Sequence, residues 1–126
     1  MNLYEIKIDS RGSGWTDKKI TQGTATEEDG AVRISYKIDC DDCTLFVDGK
    51  RAVQERRGSQ PIKITFEEGN KTECRIGDGG LVGSFEVFTK SFKFISGKGG
   101  YFLSLEYING SDEELIKLNF TAIKKF

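Results

Sequence analysis

Apolar and polar residues alternate along most of the chain with the two-residue period of a half-buried β-strand. The alternation is clearest in four runs, at residues 32–38, 62–67, 102–107 and 116–123. Weaker alternation covers seven further segments, at residues 3–9, 18–27, 43–48, 51–57, 71–76, 83–89 and 91–96. No stretch has a convincing helical period, so the pattern predicts an all-β protein.

Turn-forming residues separate these runs. Asp29-Gly30, Asp48-Gly49 and Asn109-Gly110 are pairs that tolerate positive φ in tight hairpins, and glycine clusters at 77–80 and 97–100 mark further connections. Short strands at such regular spacing are typical of a barrel or sandwich rather than an α/β fold. We therefore expect a single domain over residues 1–126. It should be an antiparallel barrel of about eight strands, with surplus strand segments pairing as hairpins at the barrel mouth.

Composition narrows the chemistry that the chain can perform. The 126 residues include 19 basic and 20 acidic side chains, which give a formal charge of −1, and they include no histidine. Ser-His-Asp catalysis, Cys-His catalysis and histidine-ligated zinc are therefore excluded. We expect no enzyme activity and no cofactor. The catalytic alternative that is left is a carboxylate-dependent hydrolase, with the candidates Asp39, Asp41, Asp42 and Asp78.

The cysteines and the first residues of the chain indicate the cytoplasm. Cys40 and Cys43 form a C-x-x-C pair, which is a weak candidate for metal or redox chemistry. Positions three apart on a strand face opposite sides, and Cys74 is the only other thiol, so we interpret all three as incidental thiols and expect no metal. Residues 1–8 alternate and carry charges, unlike a signal peptide, and no apolar run is long enough to cross a bilayer. We expect no contact with a membrane.

One basic cluster runs from Lys50 to Arg57. Arg51 and Arg57 share a strand face, with Phe46 as a stacking partner, whereas Arg56 points the other way. One interpretation is a protein- or RNA-binding surface formed by Arg51, Arg56 and Arg57, although the chain lacks the overall basic excess of nucleic-acid-binding domains. The other is a solvated strand edge whose charge keeps other chains away. An inward arginine is costly unless it is paired, so Arg56 predicts an anionic ligand or a buried partner.

A family resemblance rests on five short segments. In chain order these are Ile34-Ser35-Tyr36, Arg56-Arg57-Gly58, Phe66-Glu67-Glu68-Gly69, Gly83-Ser84-Phe85-Glu86-Val87-Phe88-Thr89 and Gly100-Tyr101-Phe102-Leu103-Ser104-Leu105-Glu106-Tyr107. By their order and spacing the chain resembles the YwiB-like family, bacterial cytoplasmic proteins of unknown function. The resemblance covers nearly the whole chain and implies a calycin-like (lipocalin-like) β-barrel. It implies no particular activity.

Inward positions of such a barrel supply the candidates for a binding site, namely Tyr36, Phe66, Phe85, Val87, Thr89, Leu103, Leu105 and Tyr107. These side chains either line a ligand cavity or fill a dry core, since side chains alone can fill a barrel of about eight strands. A buried phenol needs a hydrogen-bond partner, so Tyr36 and Tyr107 favour the cavity. Our leading hypothesis is a non-enzymatic barrel that binds a small ligand through Tyr36, Arg56, Phe66, Thr89 and Tyr107. A homodimer is compatible with exposed edge strands.

Overall fold

The computed structural model describes residues 2–58, 61–78, 81–110 and 113–125, with the backbone alone for residues 78, 81 and 82, and it confirms the all-β fold. Its ten strands are β1 (Tyr4–Gly12), β2 (Trp15–Glu28), β3 (Ala31–Ile38), β4 (Asp41–Asp48), β5 (Arg51–Arg57), β6 (Ile62–Glu67), β7 (Lys71–Asp78), β8 (Leu81–Gly97), β9 (Gly100–Asn109) and β10 (Glu114–Lys124). The described residues contain no helix that is long and apolar enough to cross a membrane.

All ten strands belong to one closed barrel. Each strand pairs antiparallel with the next along the chain, and β1 pairs with β10 to close the sheet. The predicted count of about eight was therefore too low, and the predicted surplus hairpins at the mouth are wrong. The weakly alternating segments are part of the wall because they bury apolar side chains of their own. In β1, for example, Tyr4, Ile6 and Ile8 are buried in the barrel.

Inward side chains fill the barrel over most of its length. Ile6, Ile34, Leu45, Phe66 and Phe120 are at most 1% exposed, and polar residues alternate with them on the outer face. A slip of one residue between two strands would turn one of these apolar sets towards solvent. Burial therefore specifies the register as well as stabilising the fold, by about 25 cal/mol for each Å² of apolar surface removed from water.

Two long strands change partners along their length. β2 pairs with β1 from Trp15 to Gly23 and with β3 from Gly23 onwards. A glycine is needed at this change, because a Cβ on Gly23 would overlap the carbonyl oxygen of Ser35 in β3. β8 pairs first with β7 and then with β9, and a bulge between Thr89 and Ser91 shifts its register. The bulge bends β8 and helps the sheet to close.

The two ends of the barrel differ. One end, the base, carries the β2–β3, β4–β5 and β8–β9 turns and is filled by aromatic rings. There Phe94 stacks on Tyr101 with ring centroids 6.2 Å apart, and Tyr4 packs on the same ring at 5.8 Å. The Tyr101 hydroxyl donates a hydrogen bond of 3.0 Å to Glu27. The other end, the mouth, carries the β1–β2, β3–β4 and β5–β6 hairpins, and there the apolar filling leaves a cavity.

Candidate ligand-binding site

A cavity of about 210 Å³ lies at the mouth and opens to solvent. Much of its wall is apolar, from the side chains of Ile8, Ile38, Ile62, Ile64 and Leu118. Hydrogen-bonding groups converge on it from Tyr36, Gln54, Arg56 and Tyr107. This combination, an apolar pocket with a few placed polar groups, is the usual composition of a small-molecule site.

The register of strands β3 to β6 brings the polar groups together. Tyr36 lies opposite Cys43, Cys43 opposite Arg56, and Arg56 opposite Ile62. Directly opposite residues of antiparallel strands point to the same face of the sheet. The phenol, the thiol and the guanidinium therefore share one level of the barrel, just inside the mouth.

Arg56 points inward, as its strand position predicts, and it has a partner. Its Nε donates a 2.7 Å hydrogen bond to Oδ2 of Asp41, whose side chain is 13% exposed, and its Nη2 lies 3.7 Å from Asp39. The hydrogen bond that Arg56 donates to Asp41 raises the pKa of Arg56, so the guanidinium stays charged. Gly58, at the end of the same hairpin, has a φ of 150° and approaches Asp41 so closely that a Cβ there would overlap the carboxylate. Asp41 is therefore a largely buried partner of Arg56, one of the two kinds of partner that the sequence predicts.

Tyr36 is 5% exposed and lines the cavity. The side-chain amide of Gln54 donates a 3.2 Å hydrogen bond to that hydroxyl, and the ring packs edge-on against Phe120 at 5.5 Å. Burial raises the pKa of Tyr36 to about 12. The phenol is therefore neutral at ordinary pH and can still donate its own proton to a bound molecule.

Tyr107 lines the cavity from β9, and its ring packs on Phe66 with centroids 4.9 Å apart. Burial raises the pKa of Tyr107 to about 12 as well. Thr89 lies opposite Tyr107 in the β8–β9 ladder and is fully buried, and among the described residues its Oγ1 has no hydrogen-bond partner. Of the five predicted ligand residues, Tyr36, Arg56 and Tyr107 therefore line the cavity, whereas Phe66 and Thr89 belong to the core beside it.

The sequence analysis missed Gln54. The alternation of faces along β5 could have predicted it, because Gln54 lies two residues before Arg56 and therefore shares its strand face. Asp17 and Lys19 of β2, which also line the cavity, were missed for another reason. Their strand carries few apolar residues, so alternation alone does not show which of its faces is the inner one.

The three arginines of the basic cluster do not all point the same way. Arg51 and Arg57 lie on the outer face, each beside an acidic partner: Arg51 is 4.0 Å from Glu67, and Arg57 is 3.9 Å from Glu55. Arg56 faces the cavity, and it also lines a depression of about 270 Å³ together with Arg57, Lys63 and Arg75. The nearby ring of Phe46 is covered by a different arginine, Arg33, whose guanidinium carbon lies 5.0 Å from the ring centroid.

The candidate carboxylates are divided between two places. Asp39 and Asp41 meet around Arg56, whereas Asp42 lies on the outer face, 3.5 Å from Lys37. The side chain of Asp78 lies outside the described residues.

The C-x-x-C pair is split by a turn. Cys40 is exposed between β3 and β4, and Cys43 is buried, with a thiol pKa raised by that burial. Within the part of the chain that is described, no three residues of the His, Cys, Asp and Glu types lie close enough together to hold a metal ion.

Fold and site together define a class of protein: an up-and-down antiparallel barrel of ten strands, filled at its base and open to a small cavity at its mouth. The crystal structure of the ywiB protein from Bacillus subtilis has the same fold, with a TM-score of 0.83 over 99% of this chain and 92% of that chain, at 16% sequence identity. This likeness confirms the expected YwiB-like barrel fold. A scan against protein-family models and a search of curated proteins gave no match.

Proposed function

We propose that this protein is a non-enzymatic binding protein that holds a small molecule in the mouth cavity. The observation that carries the proposal is the convergence of Tyr36, Gln54, Arg56 and Tyr107 on an apolar pocket that opens to solvent. Pockets of this kind orient a ligand through a few polar groups and gain affinity from their apolar walls. The up-and-down strand order also supports the predicted calycin-like character, because barrels of that class bind ligands inside an up-and-down sheet.

Size and charge limit the ligand. A volume of 210 Å³ is smaller than the roughly 300–1,000 Å³ of typical ligand pockets, so the cavity takes a small molecule or one end of a larger one. The charge of Arg56 is already balanced by Asp41 and Asp39. An anion would therefore meet no excess positive charge, and we propose a neutral ligand with an apolar body and a hydroxyl or carbonyl group.

The alternatives have weaker support. Salt bridges to Glu67 and Glu55 engage Arg51 and Arg57 on the outer face, which weakens the protein- or RNA-binding hypothesis because part of the basic charge is already balanced. A hydrolase would need two carboxylates free to exchange protons with a substrate, whereas Asp39 and Asp41 are both engaged with Arg56. The cytoplasmic location and a homodimer stay predictions.

Native mass spectrometry of protein freshly purified from cells tests the proposal most directly. We expect an additional mass that is lost on denaturation, and the same spectrum gives the number of subunits.

NMR titration with small molecules probes the cavity itself. We expect phenol and benzyl alcohol to shift the NMR resonances of Tyr36 and Gln54. Neither resonances at the base nor those of the outer face should respond.

A pair of tyrosine variants supplies the control. Tyr107→Phe removes the hydroxyl at the cavity but keeps the ring on Phe66, so it should weaken phenol binding about fivefold, the effect of one lost hydrogen bond. Tyr101→Phe removes a hydroxyl at the base and should leave binding unchanged. Equal effects of the two variants on phenol binding would overturn the proposal. So would a native mass equal to that of the protein alone, together with no NMR response to phenol.

A further inference from the structure

Part of strand β2 has a hydrogen-bonded neighbour on one side only. Residues 16–22 pair with β1, whereas the pairing of β2 with β3 begins at Gly23, opposite Tyr36. β3 ends two residues later at Ile38 and turns into β4 instead of following β2. Within the described ranges 2–58, 61–78, 81–110 and 113–125, no other strand pairs with this side of β2. The Thr21 hydroxyl donates a 2.8 Å hydrogen bond to the backbone carbonyl of Lys37, so the free part of this side ends at Ile20. We call residues 16–20 the open edge.

The turns on either side of β2 decide which backbone groups face outward. Two-residue loops join Gly12 to Trp15 and Glu28 to Ala31, and the residues that flank such a loop form a hydrogen-bonded pair. Counted from either turn, the even-numbered residues of β2 direct their N–H and C=O groups to the β3 side. The open edge therefore presents the unpaired backbone groups of Thr16, Lys18 and Ile20.

The open edge borders the mouth cavity. The side chains of Asp17 and Lys19 point inward and line the cavity, while Ile20 points outward and is 61% exposed. A depression of about 230 Å³, lined in part by Lys19, Ile20 and Ile38, separates this edge from the end of β3. A strand laid along the open edge would therefore place every second side chain over the cavity.

We propose that the open edge binds an extended acidic segment of a partner protein, which adds to the sheet beside β2 and inserts an apolar side chain into the mouth cavity. In this mode of recognition, main-chain hydrogen bonds supply affinity and a pocket for alternate side chains supplies specificity. The inference rests on the proposed function, because the cavity that takes a small neutral group is the one that receives the inserted side chain.

The charge of the surface around the open edge favours an acidic segment as the occupant. Around the open edge three basic side chains, Lys18, Lys19 and Lys37, outnumber two acidic ones, Asp17 and Asp39. An incoming strand with acidic side chains is attracted to this surface. A second copy of the same edge carries the same basic excess, and antiparallel pairing about Lys19 sets two lysines directly opposite each other. Lysines on a free edge are also a common protection against self-association.

The test uses two libraries of acetylated pentapeptide amides. One fixes Glu at the first, third and fifth positions with Val, Leu, Ile or Phe between them, and the matched library has Lys in place of Glu. We expect the acidic library alone to bind, and the bound peptide to slow hydrogen exchange at the amides of Lys18 and Ile20. The amide of Lys19 is bonded to β1 in the free protein and should change little.

Two substitutions at one position separate the backbone from the side chain. Ile20→Pro removes an outward N–H without breaking a bond to β1, and should lower the affinity for the acidic peptides about tenfold. Ile20→Ala keeps that N–H and should bind like the wild type. The exchange measurement on the wild-type protein needs no variant, so it decides the question even if Ile20→Pro fails to fold.

The outcomes distinguish this inference from the proposed function. If neither library binds while phenol still enters the cavity, the peptide inference is overturned and the proposed function stands. If phenol fails as well, both fall. Equal binding of the basic library, unchanged exchange at Lys18 and Ile20, or a dimer that Ile20→Pro disrupts would each overturn the acidic-segment proposal.

Discussion

The hydrogen-bonded ion pair of Arg56 and Asp41 lies at the cavity and is less exposed than the ion pairs on the outer face. Asp41 is largely buried and accepts a 2.7 Å hydrogen bond from Arg56, whereas Asp42, next in the chain, lies 3.5 Å from Lys37 with its side chain 62% exposed. Asp41→Asn should lower the free energy of unfolding by about 1.5–3 kcal/mol, because a hydrogen bond between charges is lost beside a half-buried cation. Asp42→Asn should change it by less than about 0.5 kcal/mol. Urea unfolding of both variants checks this, and equal effects would contradict it.

Tyr36 should make stability fall at alkaline pH. Its pKa is about 12 in the folded protein, compared with 10.0 for an unperturbed tyrosine, because burial disfavours the phenolate. Below the unfolded pKa the phenol is protonated in both states. Between the two pKa values the unfolded chain loses the proton first, so stability falls by about 1.4 kcal/mol per pH unit. Unfolding measured at about pH 9 and about pH 11 should show a smaller loss for Tyr36→Phe than for the wild type; identical losses would contradict the assignment.

At the scale of single residues, alternation along a strand predicted which way a side chain points but could not predict which residue it contacts. The inward direction of Arg56 follows from its position in β5, but that Asp41 meets it depends on the β3–β4 turn. The contact also depends on Gly58, which leaves room for the carboxylate. Such contacts join separate hairpins, and local alternation carries no information about them.

Among the elements, the most instructive difference is in β8. The sequence analysis treated residues 83–89 and 91–96 as separate segments, and the structure makes them one strand with a bulge. Buried positions are odd-numbered up to Thr89 and even-numbered at Phe92 and Phe94. This change of parity is the sequence signature of one inserted residue, and it distinguishes a bulge from a turn, which needs residues that reverse the chain.

The β6–β7 turn secures that bulge. The Glu68 carboxylate accepts hydrogen bonds from the Phe92 backbone N–H at 3.0 Å and from Lys50 at 3.1 Å. Glu68→Ala should lower the free energy of unfolding by about 1–3 kcal/mol, because it leaves a part-buried N–H unpaired. Glu67→Ala, which removes only an exposed contact with Arg51, should cost less than about 0.5 kcal/mol. Thermal unfolding compares the two, and faster hydrogen exchange at Phe92 in Glu68→Ala alone would confirm the mechanism.

For the whole molecule, alternation and turns predicted a barrel and could not fix its number of strands. Whether a weak segment joins the wall depends on pairing between distant parts of the chain, as in the contact of β1 with β10. The same limit applied to the cavity. Its existence depends on where the aromatic residues collect, and Tyr4, Phe94 and Tyr101 gather at the base from three strands and leave the mouth unfilled.

Closure of the barrel should be a late step in folding. β1 and β10 pair the two ends of the chain, with Tyr4 opposite Lys124, and the entropy of closing so long a loop favours local hairpins first. Phe120 on β10 packs across the barrel on Tyr36, whereas Ile34 lies within the local β3–β4 hairpin opposite Leu45. Phe120→Leu should therefore mainly speed unfolding, and Ile34→Val, which costs about 0.5–1.5 kcal/mol, should mainly slow folding. Stopped-flow chevrons of the two variants test this order. If Phe120→Leu slowed folding in the same proportion as Ile34→Val, the ends of the chain would already be joined in the transition state.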